Sequence, residues 1–83
     1  MNNTDEKILR LIDLLKFEKK ISTTKDFCIE ISMYEQSISK IKKGENHFTV
    51  SQIESICKVY NVNANWIFGL DKKVYNSKNS IEI

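Results

Sequence analysis

Apolar and polar positions alternate along this chain with a helical period almost from end to end. Ile8, Leu11, Ile12 and Leu15 recur at three- and four-residue steps, with Leu9 and Leu14 widening the stripe. The spacing predicts a first helix that starts at Asn3 or Thr4, either of which can cap it, with Asp5 and Glu6 placed favourably for the helix dipole. Lys16, Lys19 and Lys20 crowd its last turn, where cations suit the dipole and keep the surface wet. A second segment, 24–31, carries Phe27, Cys28 and Ile31 on one face, and a third, 35–42, carries Ile38 and Ile41. Only Ser32, Met33 and Tyr34 separate them, and Met33 is expected to fill the corner.

The later part follows the same logic. Gly44 closes the third helix as a left-handed C-cap, Glu45, Asn46 and His47 form a loop, and Phe48 resumes the core. A capping box opens a fourth helix, read either as Thr49 with Gln52 or as Ser51 with Glu54. Ile53, Ile56, Cys57 and Tyr60 form its buried stripe, with Val59 alongside and Asn61 as its C-cap. Asn63 caps a short fifth helix, 64–68, stopped by Gly69. Trp66 and Ile67 are expected to plug the core, and Phe68 is open between core and partner surface. After Leu70, DKKVYNSKNSIEI has no helical period. Its loose alternation (Val74, Tyr75, then Ile81, Ile83) fits a frayed tail, a linker or a strand that pairs with its copy in a dimer, the tail being the default.

This predicts one small all-α domain of five helices over 1–70, followed by a C-terminal tail over 71–83. At 83 residues, 41% apolar and 29% charged, the composition is that of a globular chain and not a disordered one. No apolar run reaches the eighteen residues a membrane span needs, and MNNTDEK lacks the basic-then-apolar pattern of a signal peptide. A cytoplasmic protein is expected. Cys28 and Cys57 both occupy apolar helical positions and read as small hydrophobes. With one His and no CxxC there is no metal signature, and no cofactor is expected. The sequence offers no Ser/His/Asp or Cys/His set and no phosphate-cradling glycine loop, so an enzyme is not expected.

Charge is informative through its distribution. Six Lys/Arg and six Asp/Glu cancel before Tyr34, whereas 34–43 carries three Lys against one Glu, and Lys72, Lys73 and Lys78 form a second basic cluster. Turning Ile38 and Ile41 inward leaves Glu35, Gln36, Ser37, Ser39, Lys40, Lys42 and Lys43 outward. A short helix braced by another and presenting such a face can enter a DNA major groove. The plain alternative is a solvated surface.

The run YEQSISKIKKG (34–44) resembles the second helix of the helix-turn-helix in lambda-repressor/Cro-like (Xre-type) DNA-binding domains, and SQIESICKVYNVNANWIFGL (51–70) resembles that family's fourth and fifth helices. The likeness spans Lys7 to Leu70. It implies a lambda-repressor-like fold in which Glu35, Gln36 and Lys40 reach base edges. It also implies backbone or sugar contacts from Thr24, Lys25, Tyr34, Ser37, Ser39, Lys43 and Asn46. Chemistry gives the base readers roles: Gln36 can present a bidentate pair to adenine N6/N7, and Lys40 can donate to guanine O6/N7. Glu35 either accepts from cytosine N4 or turns aside to Lys42 or Ser39. His47 is a phosphate candidate or a solvated loop residue. Thr24 stands where the family usually has a phosphate-binding Gln, Cys28 where it prefers Ala, and Ser32 where many members place Gly for a positive φ. At the start of the second helix, free N–H groups can still bind phosphate.

The expected function is a sequence-specific double-stranded-DNA-binding regulator, a repressor of phage or mobile-element type acting as a homodimer on a near-palindromic operator. The alternatives are an autoregulating antitoxin that holds a toxin through the C-terminal tail, and a protein-interaction module that keeps the fold without binding DNA.

Overall fold

A computed structural model describes residues 2–77. Its helices are α1 (Asn3–Phe17), α2 (Thr24–Glu30), α3 (Glu35–Lys42), α4 (Val50–Tyr60) and α5 (Ala64–Ile67). The fold is all-α: among the described residues the only β pairing is one antiparallel bridge, between Val62 and Tyr75.

The predicted stripes converge on one core. Ile8, Leu11, Ile12 and Leu15 of α1 meet Phe27 and Cys28 of α2, Ile31 and Met33 of the turn, and Ile38 and Ile41 of α3. Phe48, Ile53, Ile56, Tyr60, Val62 and Ile67 close it from the other side. Phe27 is fully buried and stacks on Tyr60, with ring centroids 5.8 Å apart and planes 6° from parallel. A side chain of this type contributes about 1.5–3 kcal/mol by leaving water, so the Phe27–Tyr60 pair ties α2 firmly to α4. Cys28 is buried, Cys57 is half-buried, and both are free thiols. Burial pushes each above its ordinary value, with the Glu35 carboxylate a second cause at Cys28.

Local chemistry explains where the helices start and stop. The cap of α1 is Asn2, one residue earlier than expected; its side-chain oxygen accepts from Asp5 N–H at 2.8 Å. Thr23 and Asp26 form a reciprocal capping box at α2, and Thr49 and Gln52 form the one at α4, which decides between the two readings of that start. Helix α2 ends at Glu30 with Ile31 as its cap, and α5 at Ile67 with Phe68 as its cap. At α1, α2, α3 and α5 the residue after the cap turns left-handed and two amides reach back into the last turn. Glycine serves at α3 and α5, but Lys19 (φ +61°) and Ser32 (φ +57°) do the same work with a side chain.

Two expectations about the core's edge change. Trp66 is half-buried, at the rim and not a plug, with the Lys7 ammonium 4.9 Å from its ring centroid. Phe68 is exposed. Residues 71–77 are docked. Asn63 N–H donates to Val74 O at 2.8 Å and Asn76 N–H to Asn61 O at 3.0 Å, while Val74 and Tyr75 pack on the core. The Tyr75 hydroxyl donates to Glu18, and Lys20 lies over its ring at 3.9 Å. The alternation seen at Val74 and Tyr75 thus finds its partner in this same chain. Ile81 and Ile83 lie outside the described residues.

Candidate nucleic-acid interface

The pair α2–α3 is built from the turn outward. Cys28 is small enough to let the helices approach. Ser32 N–H donates to Ile29 O at 3.3 Å and Met33 N–H to Cys28 O at 2.9 Å, which closes α2 and redirects the chain at once. Met33 is buried in the corner as expected. Tyr34 then begins α3 with extended backbone and no side-chain cap, its ring 78% exposed. Ile38 and Ile41 point inward and are almost completely buried, which fixes the helix's rotation.

That rotation decides what solvent meets. Glu35, Gln36, Ser39, Lys40, Lys42 and Lys43 are exposed, and Ser37 is half-buried at the margin. Gln36, Lys40 and Lys43 follow at four- and three-residue steps, so they share one strip of the helix, with Ser39 beside it. Glu35 lies toward α2, near enough to Cys28 to be felt by its thiol. It pairs with neither Lys42 nor Ser39. Among the described residues the ion pairs within 4 Å are Lys20–Glu18 and His47–Asp5, so the lysines of α3 carry charges that no carboxylate neutralises at contact distance.

Thr24 and Lys25 open α2 on the far side of the turn. Thr24 is half-buried and lines a small crevice with Asp13, Ile38 and Lys42, while Lys25 is exposed. Their end of the helix already holds an anion. The Asp26 carboxylate accepts from Ser22 N–H and Thr23 N–H, each at 3.0 Å, and these bonds, Thr23 first, hold it below its ordinary value. A phosphate arriving there meets that charge, so the free-amide site expected at this start is partly filled.

At the other end of α3, Gly44 (φ +77°) donates to Ile41 O at 3.0 Å and Glu45 N–H to Lys40 O at 2.9 Å. Asn46 is exposed, and its side-chain oxygen accepts from His47 N–H at 2.9 Å. The loop's anchor escaped the sequence reading. Asp5 of α1 is 1% exposed, and its carboxylate takes His47 Nδ1 at 2.6 Å on one oxygen and Phe48 N–H at 3.1 Å on the other. A usable signal was present, because Asp5 precedes Ile8 by three residues and Ile12 by seven and so lies on α1's apolar stripe.

A different surface lies across α4 and α5. Val50, Ile53, Cys57, Ala64 and Phe68 line a cleft of about 370 Å³ that is almost wholly apolar, with Glu54 and Lys58 at its sides. No helix among the described residues is long and apolar enough to cross a membrane. No family model, no curated protein and no solved structure matches the chain.

Proposed function

We propose that this protein binds double-stranded DNA in a sequence-specific way and regulates transcription. In this reading it is a cytoplasmic repressor of phage or mobile-element type, a binding protein and not an enzyme, working as a homodimer on a near-palindromic operator. The observation that carries the reading is the outer strip of α3. Gln36, Ser39, Lys40 and Lys43 stand together on a helix held by a second helix, and its lysines lack carboxylate partners. Gln36 and Lys40 suit adenine and guanine edges, and Glu35 suits cytosine N4. Tyr34, Ser37, Lys43 and Asn46 flank them as contacts to phosphate and sugar, with Thr24 and Lys25 beyond the turn. One such strip reads few bases, and two copies a helical turn apart supply the selectivity that one lacks. Occupying an operator then excludes polymerase.

A protein-interaction module is the second reading, favoured by the apolar cleft between α4 and α5 with Phe68 exposed beside it. The two separate in one experiment: selection of bound duplexes from a random pool, then titration of the winner at two salt concentrations. The regulator reading expects an enriched inverted repeat with half-sites about one helical turn apart and an affinity that falls steeply with salt. No enrichment, with weak salt-independent binding, overturns it.

A further inference from the structure

We propose that Asp5 is a positioning residue for the loop after α3, and that the His47 ring it holds contacts the phosphodiester backbone; the inference rests on the DNA-binding reading above. Among the described residues Asp5 is the one acidic side chain buried in the core, and nothing in base reading by α3 calls for it. A carboxylate withdrawn from water has to be matched by donors, and here both of its donors come from one loop. Phe48 N–H takes one oxygen and His47 Nδ1 the other, 43 and 42 residues away in sequence. Asp5 also sits at the start of α1, where the helix dipole favours an anion. The grip therefore joins two fixed parts, a capped helix start and a loop that begins with a left-handed glycine.

The chemistry of the pair sets the ring's direction. A carboxylate only accepts, so His47 Nδ1 carries a proton and donates inward. The ring is nevertheless 60% exposed, and Nε2 has no partner among the described residues. When the ring is doubly protonated, its Nε2–H is an outward cationic donor. It stands four residues beyond Lys43, on the loop that also carries Asn46. A phosphate oxygen completes an arrangement in which one imidazolium lies between two anions. Of the charged groups, Asp5 from α1 is bonded to the ring, and Lys43 at the end of α3 and Glu45 in the loop are its neighbours along the chain.

The test uses the whole chain with wild type, Asp5→Asn, His47→Ala and the double variant. Titrations on one selected duplex and on an unrelated duplex are made at a temperature where circular dichroism shows each variant folded. His47→Ala is expected to weaken both duplexes several-fold and to lower the salt slope by about one. Asp5→Asn alone is expected to weaken both duplexes in the same way, because the ring it holds is released. In the His47→Ala background, Asp5→Asn should change DNA affinity no further. If wild type binds and His47→Ala keeps its affinity and slope, the contact is overturned while the DNA-binding reading stands. Equal weakening by Asp5→Asn with and without His47 overturns the positioning role. Wild type that binds no duplex overturns both. Because the His47 ring is largely exposed, His47→Ala carries the test even where Asp5→Asn fails to fold.

Discussion

Helices α2 and α3 have nearly the same length, seven and eight residues, and opposite finishes. At its start α2 is closed: Thr23 and Asp26 cap each other, and the Asp26 carboxylate covers two amides before the helix begins. Phe27 and Cys28 then send its side chains into the core. By contrast, α3 starts at an uncapped Tyr34, and it buries Ile38 and Ile41. Five of its eight residues are exposed. Capping and burial stabilise α2 as a brace, whereas α3 keeps its hydrogen-bonding capacity unspent. An unspent face on a braced helix is what a binding surface requires. The same features make α3 depend on its neighbours, since a helix of eight residues is not stable alone.

The largest effect should come from breaking the brace. Phe27→Ala removes a fully buried ring stacked on Tyr60, at a cost of about 3–5 kcal/mol. That is a large share of the stability of a small domain, roughly 5–15 kcal/mol. The denaturant midpoint should fall sharply, with DNA affinity lost wherever the native state is lost. A variant that unfolds within about 1 kcal/mol of wild type would mean that α2 is not the brace.

Next comes a change on the unspent face. Gln36→Ala alters an exposed side chain, so unfolding should move by no more than about 0.5 kcal/mol. Its effect belongs in recognition: discrimination at one base pair should relax by about 1–3 kcal/mol, read by competition between operator variants. An equal loss on every duplex would take Gln36 out of the base-reading set. The contrast between these two substitutions sharpens the division of labour, because one moves stability and the other moves selectivity.

Much of this division was legible in the sequence because it is local. Ile8/Leu11/Ile12/Leu15, Ile38/Ile41 and Ile53/Ile56/Tyr60 are helical periods, and Thr23-x-x-Asp26 and Thr49-x-x-Gln52 are capping signals written within four residues. What escaped depends on distant partners. Asp5 read only as an acid placed favourably for the helix dipole, and nothing near it in sequence announces His47 or Phe48. Tyr75 and Val74 read as tail, since their partners are Glu18, Val62 and Asn63. Lys19 gave no sign of a left-handed turn, because lysine is not a residue chosen for one. In the candidate site, the identity of the outward residues followed from the inward pair, but the loop's anchor did not.

The turn between the helices permits a smaller and opposite change. Ser32 holds φ at +57°, which costs a residue with a Cβ about 1–2 kcal/mol. Glycine removes that cost and adds about 0.5–1 kcal/mol of chain entropy to lose on folding. Ser32→Gly should therefore stabilise the domain by roughly 0.5 kcal/mol, seen as a small rise in the denaturant midpoint. A fall would show that the Ser32 hydroxyl contributes more than the backbone gains.

The smallest effect isolates the closed start of α2 by its charge. The Thr23 amide, and after it the Ser22 amide, hold the Asp26 carboxyl below its ordinary value of 3.8. A carboxyl whose folded value is depressed binds its proton more readily in the unfolded chain, so it stabilises the fold above its unfolded value. That contribution fades as pH falls below about 4 and is gone once the folded carboxyl is protonated. Asp26 is only half-buried, and water and salt weaken its share. The measurement is therefore a difference: denaturant midpoints of wild type and Asp26→Asn at steps from neutral pH down to acid. Asparagine keeps an acceptor for the two amides without the charge, so the gap between the two proteins should be constant at neutral pH and close in acid. A gap that stays constant would mean that geometry and not charge caps α2. The asymmetry between the two helices would then rest on the uncapped Tyr34 alone.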